Sequence, residues 1–119
     1  VVPGNFNLKP GEKHPMGFPA GSFKGLILWA DTSLAIAPDT DTGFPGVLAG
    51  GPQKLRIAVL DATGKVIETL HKVVGRASND TTVPDWPALK IAFKDAAKTS
   101  LINITREDAG TETIAFCLY

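Results

Sequence analysis

Apolar and polar residues alternate with a period of two most clearly between residues 54 and 72, KLRIAVLDATGKVIETLHK. Leu55, Ile57 and Val59 alternate with Arg56, Ala58 and Leu60, and Val66 and Ile67 open a second run that closes at Leu70 and His71. Two such runs around a short Asp61-Ala62-Thr63-Gly64 loop predict an antiparallel hairpin. Gly64 is the residue there that takes positive φ cheaply, as a bulged loop requires. A two-stranded ribbon is marginal in water by itself, so its apolar face must be buried against the rest of the chain.

Further apolar runs occupy 23–29 and 34–37, with a turn at 31–33 between them. In the C-terminal third, Leu89, Ile91 and Phe93 alternate with Lys90, Ala92 and Lys94; Ile102 and Ile104 with Leu101, Asn103 and Thr105; Ile114, Phe116 and Leu118 with Thr113, Ala115 and Cys117. Turns at 95–98 and 107–110 between these runs predict a β-meander. The polar connection 75–87 holds a short edge strand at 81–83. Residues 87–98 also fit an amphipathic helix with Leu89, Ala92, Phe93 and Ala96 on one face, but the alternation and the neighbouring strands favour a strand. About seven or eight short strands separated by turn signals predict an all-β antiparallel β-sandwich of immunoglobulin-like or jelly-roll type. The central hairpin, a strand ending in Asp that turns through Gly-Lys and returns apolar, resembles hairpins of many extracellular immunoglobulin-like and pre-peptidase C-terminal modules. That likeness is confined to the hairpin and names no family.

Residues 1–22 break the pattern. Pro3, Pro10, Pro15 and Pro19 with Gly4, Gly11, Gly17 and Gly21 exclude a helix and a central strand, because each proline lacks the backbone donor and restricts the residue before it. The expected form is an extended arm preceding a single domain over 23–119. Val1, Val2, Phe6, Leu8, Met16 and Phe18 make the arm more apolar than a disordered linker. It therefore lies either over its own domain or over a neighbouring subunit.

A chain of 119 residues forms one domain with a core that needs no disulfide or metal. Twelve Lys and Arg balance twelve Asp and Glu, so the basic excess of a nucleic-acid binder is missing and charge does not oppose self-association. Cys117 is the single cysteine and has no internal partner. No apolar run reaches the length of a membrane span, and nothing at the start has the form of a signal peptide. The opening Val1-Val2 reads as a processed chain or a piece of a longer one.

Residues 38–53 form the longest loop-like stretch, and such loops are often functional. Within it Asp39-Thr40-Asp41-Thr42-Gly43 sets two carboxylates, Asp39 and Asp41, on one turn, an arrangement that suits calcium. Calcium takes about six to eight oxygens, so Asp31, Asp61, Asp80 or backbone carbonyls would have to converge. A solvated Asx turn explains the same residues. The flanking prolines exclude an EF-hand. Gly64-Lys65 is not a phosphate-binding loop, since Val59 and Val66 stand where glycine and Ser or Thr are needed. His14 and His71 have no metal-ligand spacing. Trp86, between Asp85 and Pro87, is the exposed aromatic candidate for a glycan or protein ligand, whereas Trp29 reads as core. Asn79 and Asn103 open glycosylation sequons.

No acid/base pair or nucleophile set is legible, so the expectation is a non-enzymatic structural protein. It would be a self-associating β-sandwich subunit of an extracellular filament, coat or capsid decoration, on a cell or virion surface. Homo-oligomers would form through the N-terminal arm or through sheet edges, without nucleic acid. The alternative is a monomeric extracellular binding or adhesion module, stabilised by calcium, that presents 38–53 and Trp86.

Overall fold

The computed structural model describes residues 2–30, 53–74, 89–110 and 113–119. Among them lie eight strands and no helix: β1 (Val2–Phe6), β2 (Lys13–Gly17), β3 (Gly25–Ala30), β4 (Gln53–Asp61), β5 (Val66–Val74), β6 (Leu89–Ala92), β7 (Thr99–Arg106) and β8 (Ile114–Leu118). They form two four-stranded antiparallel sheets, β1-β8-β3-β6 and β2-β7-β4-β5. The pairing is nested: first strand with last, second with seventh, third with sixth, fourth with fifth. Among the described strands, β4 and β5 are the one consecutive pair that shares a sheet.

The β4–β5 hairpin has the expected turn. Gly64 sits at φ 87°, and Asp61 Oδ1 accepts from the Thr63 amide at 2.9 Å and the Lys65 amide at 3.0 Å. Val59 pairs with Glu68 and Leu60 with Val66, so Ile67 of β5 is an extra residue and forms a bulge. Along β4, Leu55, Ile57 and Val59 are fully buried while Lys54 and Arg56 are exposed, so the period-two pattern does separate core from surface. The core lies between the sheets: Leu26 and Leu28 of β3, Ile91 of β6 and Ile114 and Leu118 of β8 meet Leu55, Ile57, Ile102 and Ile104 of the other sheet. Phe18, Phe23 and Phe93 close one end, the first two rings edge-on at 5.0 Å.

Residues 89–92 are a strand, and 95–98 form a turn rather than the end of a helix. The C-terminal third is not a meander, however. β6 pairs with β3, β7 with β4 and β2, and β8 with β1 and β3, so these three strands alternate between sheets. The turn at 95–98 spans the gap between layers: the amide of Thr99 donates to the carbonyl oxygens of Asp95 and Ala96, and its hydroxyl donates to that of Asp95.

The first 22 residues contribute a strand to each sheet instead of standing apart from the domain. β1 and β2 are both edge strands, the positions where Pro3 and Pro15 cost no ladder hydrogen bond on a second side. Gly4 is required by packing, since a Cβ there would lie 2.6 Å from the Phe116 ring. Gly25 is required in the same way, because a Cβ would strike the Ile91 carbonyl and the Tyr119 hydroxyl. The strand expected at 34–37 and the edge strand at 81–83 lie outside the described residues.

Candidate functional site

Of the six apolar residues expected to lie over either the chain's own domain or a neighbour, Phe6, Leu8 and Met16 are buried in the chain's own core, and Phe18 packs against it. Val2 is exposed on β1, and Val1 lies outside the described residues. Phe6 stacks on His14 with ring centroids 4.2 Å apart and planes 8° from parallel. The loss of water around His14 holds its pKa below the ordinary imidazole value. Between the lowered folded value and the unfolded one near 6.5, the unfolded chain binds more protons, so stability rises with pH. The contribution of His14 is complete above about pH 6.5 and is lost as the pH falls through the folded value. The melting temperature of the native chain is therefore expected to drop more between pH 7 and pH 5 than that of His14→Phe, which keeps the stack and removes the titration. Parallel pH profiles of melting for the two proteins check this.

Asp39, Asp41 and Trp86 lie outside the described residues, as do the rest of 38–52 and Asn79. Among the described residues no group of three or more His, Cys, Asp and Glu side chains comes together as a metal site. No helix among them is long and apolar enough to cross a membrane. Asn103 and Cys117 are half-buried in strands, and Trp29 is half-buried on β3.

Sequence reasoning missed the polar cluster at the end of the β2-β7-β4-β5 sheet. A shallow groove of about 320 Å³ is lined by Lys54, His71, Lys72, Val73 and Glu107. His71 Nδ1 meets Glu107 Oε1 at 2.7 Å, with the imidazole largely in solvent. An exposed pair of this kind contributes about 0–1 kcal/mol, and no Ser, Thr or Cys stands among the groove's described lining residues. A second depression of about 370 Å³, also lined by Glu107, includes Arg56, Thr105 and Asp108.

Arg106 lines the second depression, and its side chain is fully buried. Its Nε donates to the Leu8 carbonyl at 2.7 Å and its Nη1 donates to Gln53 Oε1 and to Asp108 Oδ1, the latter at 3.3 Å. Asp108 also accepts from the amides of Lys54 at 2.6 Å and Gly110 at 2.8 Å. Burial raises the Asp108 pKa, but these donors together outweigh it and hold the carboxyl below its usual range. A Cβ at Gly110 would lie 2.5 Å from Gln53 Oε1 and 2.8 Å from Arg106 Nη1. The cluster ties the loop after β1, the start of β4 and the loop after β7 together. Its chemistry is that of a clamp rather than of a reaction centre.

The sheet edges differ among themselves. β1 and β2 have five residues each and carry Pro3 and Pro15, and β6 has four residues. β5 has nine, without proline or glycine. The large apolar residues most exposed in the described part of the protein are Val2, Val66 and Val73, at 46%, 51% and 56%, and all three stand on edge strands. No protein-family model matches the chain, and no curated protein or solved structure matches it either.

Proposed function

We propose that the protein is a non-enzymatic structural subunit that self-associates through a sheet edge. The observation that carries this reading is β5, which among the described strands ends its sheet: it is nine residues long, holds no proline or glycine, is bulged only at Ile67 and leaves Val66 and Val73 in solvent. Natural proteins usually shorten, bend or charge such an edge, because its free amides and carbonyls template pairing with another chain. Among the described strands the other three edges carry proline or are short, whereas β5 is long and holds two charges of opposite sign, Glu68 and Lys72. Zero net charge leaves no long-range repulsion between copies.

The sandwich is read as a jelly roll. Pairing of strands one and eight, two and seven, three and six, and four and five is what a single long hairpin produces when it is wound into two sheets. That architecture is used by coat and lectin domains alike, so the edge and not the fold distinguishes an assembling subunit from a monomeric binding module. With Phe6, Leu8 and Met16 committed to the core, association runs through sheet edges rather than through an N-terminal arm. The test is native molar mass by light scattering across a concentration series. At least twice the 12.5 kDa chain mass is expected, and a monomer at every concentration would overturn the reading.

A further inference from the structure

We infer that β5 pairs with β5 of a second copy, antiparallel and about a two-fold axis at Leu70, so that two four-stranded sheets join into one of eight strands. This rests on the self-association reading and names its surface. The sequence of the strand, VIETLHKVV, is self-complementary about its centre. In that register Leu70 meets Leu70, Thr69 meets His71, and Glu68 meets Lys72 of the second copy, with the bulge at Ile67 lying outside these pairs. By symmetry each pair away from the axis occurs twice, which is the property of an isologous interface.

Charge fixes the partner. Across the hairpin Lys72 stands opposite Leu55 and Glu68 opposite Val59, so both project to the face that β4 buries. An inward-facing charge on an edge strand ordinarily blocks pairing, because an arbitrary strand would leave it without a counter-charge. Here the two charges are of opposite sign and equally spaced from Leu70. A copy of the same strand in the two-fold register neutralises both, while a shift by two residues brings neither pair together. A one-residue slip puts the wrong faces opposite each other. The exposed Val66 and Val73 flank the charges along the strand.

The test uses the full chain and its dissociation constant from light scattering or sedimentation. Glu68→Lys and Lys72→Glu each turn two attractive pairs into repulsive ones and are expected to weaken association about tenfold or more. The double variant, Glu68→Lys with Lys72→Glu, restores the pairs with their signs exchanged and is expected to return to within a few-fold of the parent. Circular dichroism verifies that each variant is folded; Lys72 is exposed, so its variant stays informative if the other is not. Association that persists unchanged in the single variants, or that the double variant does not restore, overturns the β5 register and leaves the self-association reading standing. A monomeric parent overturns both.

Discussion

A chain lacking residues 1–20 is expected to lose its cooperative unfolding transition and its native β signature. The truncation removes β1 and β2 and with them five register positions against β8 and five against β7. It takes Phe6, Leu8 and Met16 out of the core, where each is at most 8% exposed. At about 1.5–3 kcal/mol for each buried side chain, these three contribute about 5–9 kcal/mol, which is comparable to the whole stability of an ordinary domain. The cut also strips the Leu8 carbonyl from Arg106 and opens the edges of β8 and β7 to solvent. A truncated protein that melts as sharply as the parent, but no longer associates, would overturn this account. It would restore the first 20 residues as an arm that reaches another subunit.

An arm and an edge strand have nearly the same composition, which is why residues 1–22 are hard to assign from sequence. Proline density reveals only that the segment cannot sit where both sides of the backbone are bonded. It does not reveal whether one side is bonded, and β1 and β2 are each bonded on one side. Legibility failed in a related way at the C-terminal strands. Alternation at 100–105 and 114–118 identifies the face that each residue takes, but not the strand that lies beside it, so a wound pairing and a meander look alike. The β4–β5 hairpin was legible because its information is local: an apolar phase on each side, an aspartate that caps the loop, and Gly64 at positive φ. His71 and Glu107 are 36 residues apart and meet only through the β4–β7 register. Arg106 did leave a signal. It continues the phase of Ile102 and Ile104, and a cation in a core phase is a buried group that needs partners.

Those partners make Arg106→Met the other substitution with a large expected effect. The guanidinium serves three segments at once, at the Leu8 carbonyl, Gln53 and Asp108. Methionine fills much of the same volume but supplies no donor, so acceptors that are buried in the clamp lose theirs. Removing one member of a buried charged network costs about 3–5 kcal/mol, or about 10–20 °C in melting temperature for a domain of this size. Arg106→Lys is expected to recover little of it. An ammonium is a point donor and cannot hold the Leu8 carbonyl and the Gln53 amide in the two directions that the planar fork reaches. The acid limb distinguishes the clamp from simple packing. Asp108 is held below the usual carboxylate range, so its contribution is complete above about pH 3.9 and is lost as the pH falls through the folded value. Without Arg106 one of the donors that hold it down is gone, and the variant should lose less of its remaining stability on acidification than the parent. Denaturant titrations at pH 7 and pH 3 measure both effects. A cost below about 1 kcal/mol at neutral pH, in the range of an exposed ion pair, would mean that Arg106 fills space and holds nothing.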